Sequence, residues 1–489
     1  MARGVLCLSF WHWEIGRFMT QTKALVLLLP LVLTGCAVRK YRPAPIAPAE
    51  SAGRLEARSL HDPGLQGFIQ TNIGRTPPKV WDPAVLTLAA VYYSPDLRIA
   101  RATLKNAEAA IITAGARPNP NLHIGPGYSS SPDSPLFFES AFNVPIETAE
   151  KRGYRILQAE RQADSARLQL AEAGWQVAAQ VRSTLLGLLI AQKNLALLQQ
   201  EQSIRTELVR LTEAQVNAGE LASPILASAR IDLTNVTLQA RAAEGQLQQA
   251  RADLAVAIAI PESALNGAQF IWPNFDHPPN DQAISAESIQ RAAVLNRLDL
   301  QRLLADYAAT EAALRLEVAK QYPDIQLGPG YNFEEGNNDY ILGLSVTLPL
   351  FNRNQGPIAQ AEAQREKAAA QFSALQLQVI AQSRSALEAY QSALSQVREA
   401  NRLVAQQAER ERLARNSFDL GESDKLTLTG VLLQTTTTKR ARLDALNRAR
   451  MALGNLENAV QRPIEPAWQV PLLPSVEHAG IELLQESPK

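Results

Sequence analysis

Four stretches of the chain alternate apolar residues with small or polar ones at a period of two, the signature of half-buried strands. In the first stretch Leu122, Ile124 and Tyr128 fall on one side, with His123, Gly125 and Gly127 on the other. The next sets Phe138, Phe142, Val144 and Ile146 against Glu139, Ala141 and Asn143. Further on, Ile325, Leu327, Tyr331 and Phe333 oppose Asp324, Gln326, Gly328 and Asn332. Last, Tyr340, Leu342, Leu344, Val346, Leu348 and Leu350 oppose Gly343, Ser345 and Thr347. The pattern predicts two hairpins, with strands over 120–128 and 137–147, then 323–333 and 340–350, joined by polar loops at 129–135 and 334–339. Strands of about ten residues are long enough to cross a bilayer when tilted. A soluble sheet with one wet face alternates in the same way, so the period alone leaves both open.

Each hairpin leads into a helical region. No proline occurs from 146 to 223 or from 358 to 462. Val181, Leu185, Leu188 and Leu195, then Ile204, Leu208 and Leu211, keep a coiled-coil-like spacing. Ala159, Ala163, Ala166, Ala173 and Ala178 leave room for close helix packing. Helices are predicted over 150–216 and 224–258, then over 357–418 and 424–460. The first would be about 100 Å long at about 1.5 Å per residue. Breaks at Gly219 and Gly421 predict chain reversals, with each glycine closing a helix in the left-handed conformation.

These elements form two copies of one plan. PNLHIGPGY at 120–128 returns as PDIQLGPGY at 323–331, FNVPIETAEKRG at 142–153 as VTLPLFNRNQG at 346–356, and NAGE at 217–220 as DLGE at 419–422. The repeats are taken as 94–261 and 297–463, with a linker over 262–296 and a tail over 464–489. Gly125-Pro126-Gly127 and Gly328-Pro329-Gly330 lack the Lys-Ser/Thr or GxGxxG setting of a phosphate loop. They read as strand, locally bent where proline offers no ladder donor.

The N-terminus carries an address. Residues 23–36 (KALVLLLPLVLTGC) combine a lysine with an apolar run too short to span a bilayer, as in a secretory signal. Leu33-Thr34-Gly35-Cys36 resembles the lipobox of bacterial lipoproteins, which makes Cys36 the lipidated first residue of the mature chain and 19–35 the signal peptide. Residues 1–18 fit poorly ahead of it, and Met19 is the better start. Ala37 stands where aspartate would resemble the inner-membrane retention signal, so the outer membrane, facing the periplasm, is the expected destination. The stretch 36–93 is expected to be an extended tether, Pro-rich over 41–80, running into the first helix.

Composition narrows the function. Lys+Arg and Asp+Glu balance at 48 each, so no strong field favours nucleic acid. The five histidines are scattered without partners at metal-ligand spacing, so neither a bound metal nor a cofactor is expected. No nucleophile–base pair or paired carboxylate site stands out, which argues against an enzyme.

A lipobox, duplicated strand hairpins and rod-length helical hairpins together resemble the outer-membrane efflux family, the TolC-type trimeric channels. SPDLRIARATLKNAEAA, ARPNPNL and GLSVTLPLFNRNQG are similar to its lipoprotein branch serving cobalt-zinc-cadmium and drug efflux pumps. The resemblance implies a mostly α fold with a small β part. Its long antiparallel helical hairpins would form a periplasmic α-barrel, and four membrane strands per chain would complete a 12-stranded trimeric β-barrel. It also implies a homotrimer served by a periplasmic adaptor and an inner-membrane transporter. Tyr128 and Tyr331 would then face lipid or its interface, and the glycines of both Gly-Pro-Gly motifs the pore. The turns at 218–223 and 420–425 would be the periplasmic mouth, where the adaptor docks and the channel gates. Candidate residues there are Gly219, Glu220, Gly421, Glu422, Asp424, Arg412 and Arg415. Glu220, Glu422 and Asp424 could hold cations weakly or pair with Arg210, Arg412 or Arg415. Heavy-metal cations are the implied cargo, with drugs or other small molecules as the alternative. A periplasmic adaptor lipoprotein is the rival of a different class, but an adaptor has one helical hairpin where this chain has two.

Overall fold

The computed structural model describes residues 39–74, 80–128, 130, 136–280, 284–334 and 336–465. The lipidation candidate Cys36, the signal peptide, most of the first hairpin loop and nearly all of the C-terminal tail lie outside them. The described residues up to Leu55 belong to a separate unit, in which an exposed stretch from Arg39 leads into helix α1 (Pro48–Glu56).

The second unit opens with two short helices where an extended tether was expected. Helix α2 (Pro63–Ile73) starts at Asp62, whose carboxylate accepts from Leu65 N, and stops at Gly74 in the left-handed region (φ 63°). Strand β1 (Val80–Trp81) and helix α3 (Pro83–Tyr93) come next, the latter capped by Asp82. Asp-Pro at each start supplies a cap acceptor and a preset φ. These helices bury Leu65, Ile69, Val85, Leu86 and Leu88, so this part of the expected tether belongs to the core.

Two matching series make up the rest. The first is α4 (Pro95–Gly115), β2 (Asn121–Tyr128), β3 (Leu136–Ile146), α5 (Lys151–Asn217) and α6 (Ser223–Ile258). A linker comes after it, with a 3-10 turn (Glu262–Leu265), β4 (Gln269–Phe270), which pairs with β1, and α7 (Ala286–Asn296). The second series is α8 (Leu298–Ala319), β5 (Ile325–Glu334), β6 (Asn337–Val346), α9 (Gln355–Asp419) and α10 (Lys425–Val460). The long helices hold 67 and 65 residues, and their return helices 36 each.

The backbone repeats in detail. Glu150 and Asn354, both left-handed, start α5 and α9, and Ala259 and Gln461, also left-handed, end α6 and α10. Toward the strands α4, α5, α8 and α9 pack in that order; toward the reversals the order is α6, α5, α10, α9. The core lies where α6 and α10 end, around Val181, Leu185, Leu188, Leu254, Leu446 and the linker's Trp272 and Phe275. Arg450, fully buried, clasps that linker by donating to the carbonyls of Asn274 and Phe275 and to Glu465 Oε1 at 2.8 Å.

Candidate channel elements

The four long strands form one sheet in the order β2-β3-β5-β6, antiparallel throughout. Register is continuous enough to sort every side chain to a face. Leu122↔Phe142, Val144↔Leu327, Ile146↔Ile325 and Leu327↔Leu344 join the apolar positions of all four strands into one face. Gly125↔Glu139, Glu139↔Asn332 and Gln326↔Ser345 place small and polar residues on the other, where Asn143 Nδ2 donates to Gln326 Oε1 at 3.2 Å. The apolar face is uncovered, with Leu122, Ile124, Tyr128, Tyr340, Leu342 and Leu344 all more than half exposed. An apolar outside and a polar inside is what a sheet bathed in lipid requires. Toward the hairpin loops the apolar face ends in an aromatic band: the Tyr331 ring lies 5.5 Å from Tyr340 and 6.4 Å from Phe138, and Tyr128 sits nearby in sequence register. Amphipathic rings of this kind suit a membrane–water boundary.

Both Gly-Pro-Gly motifs are strand. Pro126 lies on an edge strand, where a missing donor is tolerated. Pro329 lies on an inner strand, and the pairing of β3 with β5 skips from Ala141↔Gly330 to Val144↔Leu327 around it. Gly127 is demanded by space, because a Cβ there would meet the Phe137 ring at 2.0 Å. A Cβ at Gly125 or Gly328 would meet nothing closer than 3.4 Å, and one at Gly330 would press on Ser140 O at 3.3 Å, so these glycines leave the polar face low without a clash as severe as that at Gly127.

In the second hairpin the strand boundaries differ from expectation at three places, whereas in the first they move by no more than one residue. β5 and β6 pair out to Glu334↔Asn337, so the six-residue polar loop shrinks to a tight turn through Gly336 (φ 79°). β5 begins at Ile325 because Asp324 is drawn into the junction below: Lys151 Nζ donates to its Oδ1 at 2.7 Å and to Tyr322 O at 2.6 Å. β6 stops at Val346, leaving Leu348 and Leu350 outside the sheet.

At the far end of the long helices, both reversals are built alike. Gly219 N donates to Val216 O and Glu220 N to Gln215 O; Gly421 N donates to Phe418 O and Glu422 N to Ser417 O. This is the Schellman arrangement, with glycine at φ 78° and 77°. Asp424 caps α10, accepting from Thr427 N at 2.8 Å. Bonds from the Thr427 side chain and N–H hold its carboxyl below the ordinary range. Glu422 accepts from Ser417 Oγ, and Glu220 is exposed. The arginines pair within their own helices instead of with these acids: Arg210 with Glu207, Arg412 with Glu409 and Arg415 with Glu411. Spacings of three and four residues put those partners one turn away, closer than the reversal.

One contact was not foreseen. Lys425, the first residue of α10, reaches Glu207 on α5 at 2.6 Å, joining the two helical hairpins near their reversals. Bonds from Arg210 and then Lys425 depress the Glu207 carboxyl to about 2. Local sequence carried no signal for it, because Glu207 and Lys425 lie in different repeats. Among the described residues no three His, Cys, Asp or Glu side chains converge to hold a metal ion.

A four-stranded sheet with one uncovered apolar face, carried on two long helical hairpins, has the make-up of an outer-membrane channel subunit. The outer membrane efflux protein model matches residues 89–259 and 289–460, and the chain belongs to that family of non-enzymatic transport channels. It is 28% identical over 288 residues to the cobalt-zinc-cadmium resistance protein CzcC of Cupriavidus metallidurans, a match spanning 58% of this chain and 66%, just under two thirds, of that relative. Among solved structures it resembles the outer membrane protein VceC of Vibrio cholerae (TM-score 0.62, 19% identity, 78% of this chain and 96% of that one). The CmeC outer membrane channel of Campylobacter jejuni is similar to the same degree (TM-score 0.62, 14% identity, 88% and 97%). The structural likenesses establish the mostly helical fold with its small sheet, and membership of the outer membrane efflux protein family carries the outer-membrane location.

Proposed function

We propose that the chain is the exit duct of a tripartite pump, conducting heavy-metal cations passively from the periplasm to the exterior. The observation that carries the duct is a four-stranded sheet with an apolar outer face and two open edges. Lipid offers no partner for unpaired backbone groups, so the sheet must close on others like it. A homotrimer supplies twelve strands, enough for a barrel with an aqueous lumen. The polar face, low at Gly125, Gly328 and Gly330 and with Gly127 beneath the Phe137 ring, then lines that lumen, and Tyr128 and Tyr331 lie at the lipid boundary.

The likeness to CzcC supports the metal cargo. A wide duct carries hydrated ions without chelating them, so selection falls to an inner-membrane transporter. In this reading a periplasmic adaptor docks on the reversals at Gly219–Glu220 and Gly421–Asp424, with Arg412 and Arg415 on the adjoining turns, and lipid on Cys36 adds a second anchor to the membrane. The segments 94–261 and 297–463 act as the two repeats of the duct, with 262–296 as the belt between them.

A deletion strain and its complemented control, tested against Co²⁺, Zn²⁺, Cd²⁺, Ni²⁺, Cu²⁺ and several lipophilic drugs, decide the cargo. Sensitivity to the divalent cations alone is the expected result. Sensitivity confined to drugs would reassign the duct to small-molecule efflux.

A further inference from the structure

The chain contains a template for contact between its own copies. Within it, β3 lies beside β5, in a register that ends with Val144↔Leu327 and Ile146↔Ile325. The repeat-mates of these strands are β6 and β2, the two open edges. Two marks align the mates: Pro349 stands 204 residues after Pro145, and Gly328-Pro329-Gly330 stands 203 after Gly125-Pro126-Gly127. The left-handed residues Glu150 and Asn354 keep the first offset.

We infer that β6 of one copy joins β2 of the next in the register this template dictates, with Leu350 opposite Leu122 of the next copy and Leu348 opposite its Ile124. The inference rests on the proposed channel function, whose closed trimer already brings β6 to β2, and adds to it the register and a lengthening of β6 by the segment up to Leu350.

Three observations carry it. Val144 and Ile146 are paired strand residues, yet their mates Leu348 and Leu350 are 68% and 67% exposed and lie beyond the end of β6. They continue the apolar alternation of Tyr340, Leu342, Leu344 and Val346, so pairing them leaves the lipid face unbroken.

The junction beneath the strands obeys the same logic. Lys151, buried, is bonded to Asp324 inside the chain. Its mate Gln355 is likewise the first residue of its helix, the mate of Asp324 is Asn121, and both are exposed. A lysine–aspartate pair is thus replaced by two amides, which can donate and accept across a seam and strand no charge if the copies separate.

The helices agree. Trp175 Nε1 donates to Asn458 Oδ1 at 3.2 Å between α5 and α10. The mates at the offset of 202 that the two reversals keep, Leu377 on α9 and Val256 on α6, are 71% and 79% exposed, an apolar pair waiting for the neighbouring copy.

Paired cysteines read the register directly. Directly opposed Cβ atoms in an antiparallel pair stand about 4.5–5.5 Å apart, against about 7–8 Å for a two-residue slip. Leu122→Cys/Leu350→Cys and the slipped pair Leu122→Cys/Leu348→Cys are oxidised mildly in outer-membrane fractions and run on non-reducing gels. Ile146→Cys/Ile325→Cys, which closes within one chain, reports that the sheet is folded. The expected result is covalent dimers and trimers from the first pair, at least tenfold above the slipped pair and both single variants. Equal or greater coupling by the slipped pair overturns the register. No coupling by either pair, with the internal control closed, overturns the seam; amine cross-linking of the same membranes then shows whether a trimer, and with it the channel reading, survives.

Discussion

The two helical hairpins share a backbone but are held together by different chemistry. Near its reversal the first is closed by Leu198, Val236, Ala240 and Ala243, with Leu195 and Leu233 against them. In the second, threonine stands at the mates of Leu233 and Val236, namely Thr435 and Thr438. Buried Gln407 donates there to Val431 O at 3.2 Å and Thr435 Oγ1 at 3.3 Å. The threonine hydroxyls also bond the carbonyl four residues back, as Thr438 does to Gln434 O at 2.9 Å. Such self-satisfied hydroxyls make a polar seam tolerable but add little that holds two helices together. Hairpin geometry is therefore set by helix length and glycine caps, while the strength of each seam varies independently.

The largest difference lies at Arg182 and its mate Arg384. Arg182 is buried, bonded to Glu457, to Asn458 Oδ1 at 2.8 Å and to Gly454 O at 3.2 Å, and so bridges α5 to α10. Burial pushes the Glu457 carboxyl up; the guanidinium and the N–H groups of Ile464 and Glu465 pull against it. Arg384 is exposed beside Glu388. Arg182→Met should cost about 3–5 kcal/mol by stranding Glu457, and Arg384→Met less than about 1 kcal/mol. Chemical unfolding of the purified protein checks this, and equal losses would erase the contrast.

A smaller effect comes from exchanging seam residues. Val236→Thr should weaken the first hairpin by about 1–2 kcal/mol, whereas Thr438→Val should leave the second unchanged or strengthen it by up to about 1 kcal/mol. Hydrogen exchange of the helix amides near each reversal reads both. Loss of protection in both hairpins would mean that the threonine seam is under positive demand.

The smallest effect sharpens the comparison electrostatically. Glu207–Arg210 and Glu409–Arg412 are repeat-mates, but only Glu207 also takes Lys425 from the other hairpin. With its folded pKa lowered to about 2, Glu207 contributes fully above the ordinary carboxylate value of about 4.3 and loses that contribution as pH falls toward 2. Lys425→Gln should move the Glu207 titration upward, toward that of Glu409, and leave Glu409 in place. A carboxyl-carbon NMR titration tracks both, and an unmoved Glu207 would show that Lys425 is not its partner in solution.

The positions of the long helices and their reversals were legible because periodicity, the missing prolines and two well-placed glycines act locally. Gly127 could be read as a strand glycine but not as one covered by Phe137, since that contact belongs to the pairing of β2 with β3. The helices at 48–56 and 63–73 were lost among prolines, which here open helices instead of extending the chain. The tip arginines pair with Glu207, Glu409 and Glu411 instead of with the acids of the reversals, because neighbours in the chain outcompete neighbours across a turn.

Local sequence was enough to set the repeated inventory: two strand hairpins with one apolar face and two rod-length helical hairpins ended by glycine. Each arises from side-chain period and backbone preference over a few residues. Which copies of a repeated motif meet was left to tertiary packing. It buried Arg182 and left Arg384 in water, gave Glu207 a lysine that Glu409 lacks, and paired β3 with β5 while leaving β2 and β6 open. Repeat-mates carry nearly the same local signals, so their different fates arise from the long-range contacts that place one inside and the other at an edge.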